Sequence, residues 1–97
     1  MIEFAINAEQ AQRHITEDGA LIIDIRDKTS YQAGHIPGAR SVTTEEEVEE
    51  FMKAASKDQI IICCCYHGNS SRAVTNFLRA EGYNATSLNG GFAGWTH

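Results

Sequence analysis

Three adjacent cysteines, Cys63, Cys64 and Cys65, end a run of isoleucines, and the small polar stretch His67-Gly68-Asn69-Ser70-Ser71 follows almost at once. Thiols placed there can pack, bind a metal or act as nucleophiles. Metal binding fits least. Cysteine-based zinc sites use a C-x-x-C pair or a second ligand pair at metal spacing, and neither is present. Packing suits Cys63 and Cys64, which lie inside the strand, point to opposite faces and can serve as small hydrophobes. Cys65 stands instead where strand gives way to loop. A tight loop between a strand and a helix can turn successive N–H groups inward as an anion-binding nest. The helix adds its unpaired N-terminal donors and its dipole. A thiol facing that ring ionises below its usual value of about 8.5, and the thiolate is the nucleophile.

The loop residues suit this geometry. Gly68 permits positive φ, and Asn69 tolerates it better than most residues. Ser70 and Ser71 can add hydroxyl donors. Arg72, in the first helical turn, reads either as an anion-attracting rim residue or as a solvent-facing helix residue. His67 reads either as a substrate contact or as a structural hydrogen-bonder. Such a cradle would hold an oxyanion, or a second sulfur attached to the first.

The flanking elements must place this loop at the end of a sheet. "ALIIDI", Ala20 to Ile25, and "QIIICC", Gln59 to Cys64, are near-continuous apolar runs. Such runs suit strands buried on both faces, as in a parallel sheet. Short strands are expected near Ala39 to Val42 and over Ala85 to Leu88. Helices alternate with them. Asn7 caps the first, with Gln10 completing a capping box, and Asp18-Gly19 ends it. Residues 27–34 suggest a helical turn closed by Gly34. Thr44 and Glu47 box the next helix, whose apolar stripe is Val48, Phe51, Met52 and Ala55. Its acidic run, Glu45 to Glu50, reads as a solvated face rather than a metal site. The helix from Ser70 to Gly82 carries Ala73, Val74, Phe77 and Leu78 at three and four. "NGGFAGW" is a turn and a short helix. The class is α/β, with a mostly parallel sheet and helices on both faces. Ligands in such sheets bind at the carboxyl ends of the strands.

Composition bounds the rest. The chain has 97 residues, 42% of them hydrophobic, which suits one domain over 1–97 with one modest core. Its net charge of −5 argues against nucleic acid or an anionic membrane as partner. No apolar run reaches the roughly 20 residues of a membrane helix. The start lacks the basic and apolar regions of a secretory signal. Three neighbouring cysteines form no spaced disulfide framework. A cytoplasmic protein with reduced thiols is expected.

Three stretches in series resemble the rhodanese family. "CYHGNSS", Cys65 to Ser71, is similar to its active-site loop. "LIIDIRDKTSYQAGHIPGA", Leu21 to Ala39, resembles its N-terminal signature, with Asp24, Arg26, Tyr31, Gly34, His35, Ile36, Gly38 and Ala39 in register. "NGGFAGW", Asn89 to Trp95, resembles its C-terminal signature. The resemblance implies a five-stranded, mostly parallel sheet between helices. It implies that Cys65 is the catalytic nucleophile and that amides of Tyr66, His67, Gly68, Asn69 and Ser70 surround its persulfide, with Ser71 adjoining. It implies transfer of sulfur from thiosulfate through that persulfide to cyanide or to a dithiol such as thioredoxin. No metal or organic cofactor is implied, and the expected state is a monomer or weak homodimer. Asp24 and Arg26 would tie loops together, His35 and Gly38 shape a turn, and Trp95 enter the core.

Departures are visible. Ser30 stands where the family often has an acid, and Cys63 and Cys64 are unusual; an exposed one could serve as a resolving thiol. The chain ends two residues after Trp95, short of the family's usual extension. Two other readings share the fold. Cysteine phosphatases and arsenate reductases place arginine six positions after cysteine, where this chain has Ser71. Non-catalytic rhodanese-like binding modules often lack the cysteine.

Overall fold

The computed structural model describes residues 1–95. In chain order the elements are β1 (Ala5–Ile6), α1 (Ala8–Asp18), β2 (Leu21–Asp24), α2 (Lys28–Ala33), β3 (Arg40–Ser41) and α3 (Glu45–Ala54). Then follow β4 (Ile60–Cys64), α4 (Ser70–Ala80), β5 (Asn84–Leu88) and a short 3₁₀ turn (Phe92–Gly94). The strands form one sheet in the order β1-β5-β4-β2-β3, and every pairing is parallel. This is the five-stranded α/β sheet expected from the sequence, with every strand parallel among the described residues. The fifth strand is β1, a two-residue edge that pairs with Ser87 and Leu88.

Local chemistry sets the helix ends. Asn7 Oδ1 accepts from the Gln10 amide at 2.8 Å while the Gln10 side chain accepts from the Asn7 amide at 2.9 Å. Thr44 and Glu47 close the same kind of box on α3. The Thr43 amide and Lys28 hold the Glu47 carboxyl down to about 2. Gly19, at φ 65°, takes the left-handed position that ends α1. Asp27 caps α2, and Ser30, in the position where an acid was noted as usual, donates to it at 2.7 Å.

Alternation in the strands divides the core into two layers. Ile22, Ile62, Cys64 and Leu88 face α1 and its surroundings, with Ile36 and Trp95 against the same layer. Ile23, Ile61, Cys63 and Ala85 face the opposite side, packed with Phe51 of α3 and Leu78 of α4. Phe77 departs from the expected stripe: it is 48% exposed. The buried line of α4 is Ser71, Thr75 and Leu78, three side chains at helical spacing, two of them hydroxyls. Small residues let the first turns of α4 approach the sheet, with Thr75 Oγ1 donating to the Ser71 carbonyl at 2.8 Å.

Chain direction then picks out one place on the sheet. From β2 the chain moves outward to β3; from β4 it moves the other way to β5. The sheet therefore reverses its order between β2 and β4, and the crevice at their carboxyl ends is where doubly wound sheets bind ligands. Cys65 follows β4 directly at that crevice.

Candidate active site

Cys65 is the first residue past the β4 ladder, and its side chain is largely enclosed. The Gly68 amide donates to Cys65 Sγ at 3.0 Å, and the Ser71 hydroxyl lies 3.4 Å from the sulfur. Burial alone pushes this thiol up. The Ser71 hydroxyl and the amides of Ser71, Gly68 and Ser70 outweigh burial and bring it below its ordinary range. Hydrogen bonds to the charged form favour it and so lower the pKa.

Two neighbours of the same type go the other way. Cys63 is pushed up to about 12 by burial, with the Thr75 side chain opposing. Cys64 is pushed up to about 12 by burial, with Asp24 adding and Arg26 opposing. All three thiols are free.

The loop holds its shape because the turn after β5 grips its carbonyls. The Phe92 amide donates to the Cys65 carbonyl at 2.8 Å, and the Ala93 amide donates to the Tyr66 carbonyl at 2.9 Å. In a trans peptide the N–H points opposite to the C=O. Tying both carbonyls toward the 3₁₀ turn therefore sends the Tyr66 and His67 amides away from it. Glycine is required at this contact. Gly91 has φ 55°, and a Cβ there would collide with the Cys65 carbonyl and stand 2.5 Å from that of Tyr66. Gly68, at φ 98°, sits under the backbone of Leu88 and Gly90.

The N-terminal signature supports the same turn from below. Arg26 forms a buried ion pair with Asp24 at 2.7 Å and donates to the Gly34 carbonyl at 2.7 Å. Its guanidinium also lies 4.1 Å from the centre of the Phe92 ring. His35 stacks on Tyr31 at 3.8 Å, and Gly38 takes φ 86° in the adjoining turn.

Among the residues singled out from sequence, the structure gathers Cys65, the Gly68 amide and the Ser71 hydroxyl at the sulfur; Ser70, expected to add a hydroxyl, is exposed and acts through its amide. Tyr66 is 56% exposed and stacks on His67 at 4.6 Å, so the two aromatic side chains form the outer rim. Arg72 is exposed on α4, with its guanidinium 5.0 Å from the Phe4 ring centre. Asn69 corrects the expectation of positive φ. It lies at φ −85° in the right-handed helical region, and its carbonyl accepts from the Arg72 amide at 3.2 Å. One reversal at Gly68 suffices, so α4 effectively begins at Asn69.

Sequence reasoning missed Ser87, whose hydroxyl is 2.7 Å from that of Ser71, and Phe92, whose amide holds the loop. The only signal for Ser87 was a hydroxyl pair, Thr86-Ser87, inside a strand expected to be buried. Among the described residues, no three of the His, Cys, Asp or Glu side chains come together in a way that would hold a metal. No described helix is long and apolar enough to cross a membrane. A separate groove of about 490 Å³ between α3 and α4, lined by Val48, Val74 and Phe77 among others, contains no residue from 65–71.

Comparisons with known proteins agree with this architecture. A family model described as the rhodanese-like domain matches residues 7–97. A rhodanese-like domain from Anabaena is 27% identical, with 97% of this chain and 74% of that one covered and a TM-score of 0.84. A rhodanese-like domain protein from Staphylococcus aureus shares the fold at 23% identity, with coverage of 97% and 92% and a TM-score of 0.83. A thiosulfate sulfurtransferase from Pseudomonas aeruginosa is 28% identical over 94% of this chain, with a TM-score of 0.83. The match spans only 18% of that longer protein.

Proposed function

The chain belongs to the rhodanese-like family, and from that premise we propose that it is a thiosulfate sulfurtransferase working through a Cys65 persulfide. The observation that carries the reading is the environment of Cys65 Sγ: a Gly68 amide at 3.0 Å, a nearby Ser71 hydroxyl and a lowered thiol pKa. The similar Pseudomonas aeruginosa protein is a thiosulfate sulfurtransferase.

The reaction runs in two displacements. Cys65 thiolate attacks the outer sulfur of thiosulfate; the new S–S bond forms as the old one breaks, and sulfite leaves with the electron pair. The enzyme then carries a persulfide anion, so the site faces one negative charge before and after. The loop amides and the N-terminal dipole of α4 stabilise that charge and offset repulsion toward the doubly charged substrate. In the second displacement cyanide takes the outer sulfur as thiocyanate, restoring the thiolate. A dithiol such as thioredoxin would instead close to a disulfide and release hydrogen sulfide. Leaving-group basicity governs both halves, as in thiol–disulfide exchange. A lowered thiol pKa makes Cys65 a good leaving group in the second. Tyr66 and His67 at the rim would meet the acceptor, Asn69 and Ser70 line the mouth, and Arg72 stands on the adjoining surface of α4. Three free thiols suit a reducing compartment such as the cytoplasm.

Phosphatase or arsenate chemistry fits less well. The position that carries arginine in those enzymes is Ser71, buried and engaged with the sulfur. The test is turnover with thiosulfate, 3-mercaptopyruvate and an aryl phosphate side by side, with cyanide or a dithiol as acceptor. Sulfite release from thiosulfate that requires Cys65 is the expected result. Hydrolysis of the phosphate, or no turnover with either sulfur donor, would overturn the assignment.

A further inference from the structure

Ser87 lies in the interior of β5 and is fully buried, at 0% exposure. Its hydroxyl is 2.7 Å from that of Ser71, which is itself 3.4 Å from Cys65 Sγ. The end of β4, the start of α4 and the middle of β5 thus contribute one atom each to a short chain, sulfur to oxygen to oxygen. We propose that Ser87 is a positioning residue: through the Ser71 hydroxyl it keeps a hydrogen-bond donor on the Cys65 sulfur whenever that sulfur is anionic. For its part in sulfur transfer, this rests on the sulfurtransferase reading above.

The proton count explains why two hydroxyls are needed. A serine hydroxyl has one proton to donate and two lone pairs to accept with. With Cys65 protonated, the thiol donates to Ser71, and Ser71 donates to Ser87. When the thiol proton passes to solvent, both hydroxyl rotors turn. Ser87 then donates to Ser71, and Ser71 donates to the thiolate. Neither serine gains or loses a proton. Hydrogen bonds aligned toward an anion strengthen one another and are stronger than neutral ones. Without Ser87, the buried Ser71 oxygen loses its only side-chain hydroxyl partner among the described residues and the contact that selects the rotamer facing the sulfur.

The ionisable surroundings leave the thiol's titration to its hydrogen-bond donors, the Ser71 hydroxyl first among them. Cys63 and Cys64 on β4 stay neutral through neutral pH. Asp24 and Arg26, at the end of β2, are closed on each other at 2.7 Å. His67 is on the exposed rim, and Arg72 of α4 sits over Phe4. Neither β5 nor the turn through Gly94 carries an ionisable side chain.

The test is the rate of Cys65 alkylation by iodoacetamide against pH, with the modified peptide identified by mass. Ser87→Ala should raise the midpoint by about half a unit to one unit, which slows alkylation below the midpoint about 3- to 10-fold. Ser71→Ala should move it at least as far, and adding Ser87→Ala to Ser71→Ala should move it no further. Thr86→Val, which removes a buried hydroxyl with no hydrogen-bond partner among the described residues from the same strand, should leave the midpoint in place. Should Ser87→Ala fail to melt cooperatively, Ser87→Cys keeps a weaker donor in a similar volume and should shift the midpoint less. An unmoved midpoint in a folded Ser87 variant, an additive double variant, or an equal shift from Thr86→Val overturns the proposal. Sulfur uptake from thiosulfate, read on the wild type, separates the two claims. Absent uptake with a shifted midpoint rejects the sulfurtransferase and keeps the positioning role; uptake with an unmoved midpoint does the reverse.

Discussion

Cys64 and Cys65 are neighbours in the chain with the same side chain, yet the first resists ionisation up to about 12 and the second ionises below its ordinary range. Burial pushes both thiols up, Cys64 the more because it is the more deeply enclosed, and only Cys65 has donors that outweigh it. The difference lies in where the backbone donors go. Cys63 and Cys64 stand in register with Ile23 and Asp24 of β2, and Cys63 also with Ser87 of β5. Amides around them are spent on the ladder, and desolvation dominates. One residue later the ladder stops. The carbonyls of Cys65 and Tyr66 are taken by Phe92 and Ala93, and loop amides become available to the sulfur. A readily ionised thiol is thus made by ending a strand, not by changing a side chain.

The largest effect is expected at Cys65. Cys65→Ser should abolish sulfur transfer while thermal unfolding stays cooperative; sustained thiosulfate turnover by the variant would show that another group attacks. Next in size is Gly91→Ala, which drives a methyl group into the loop carbonyls at a positive φ. A displacement of about 1 Å at the reacting sulfur costs roughly 100-fold in rate, and the strain about 1–3 kcal/mol of stability. Turnover near wild type would mean that the clamp does not set the loop.

The pH dependence of stability sharpens the contrast by its sign. Cys63 and Cys64 have folded pKa values raised above the unfolded value of about 8.5. An acid with a raised folded pKa stabilises fully below the unfolded value. That contribution is lost as pH rises from about 8.5 toward about 12. Cys65 has a lowered pKa, so its contribution is present above the unfolded value and is lost as pH falls through the folded one. Urea unfolding across pH 8 to 11 should therefore show falling stability, less steep in Cys63→Ala and steeper in Cys65→Ala. The smallest effect is on rate: Cys63→Ala and Cys64→Ala should cost about 1–2 kcal/mol through lost packing and change turnover less than about twofold. A large rate loss in a folded variant would give those thiols a chemical role.

Much of this was legible in the sequence because it is local. Both capping boxes are set by residues three apart, and the buried strands announce themselves as apolar runs. Cys65 is conspicuous because the run ends there. What was not legible depends on distant partners. β1 is two residues long, too short for any periodicity, and exists only because Ser87 and Leu88 offer an edge. Phe77 reads as core by spacing, yet α4 is turned so that Ser71 and Thr75 meet the sheet. Ser87 looks like an ordinary strand residue until the fold brings Ser71 to it across 16 positions.

The measurement that bears most directly on the account is intact mass of the reduced protein before and after thiosulfate, beside Cys65→Ser. A Cys65 persulfide enzyme gains one sulfur, which cyanide removes and the variant lacks. A folded, reduced wild-type protein that gains no sulfur, or a variant that gains one, would contradict it.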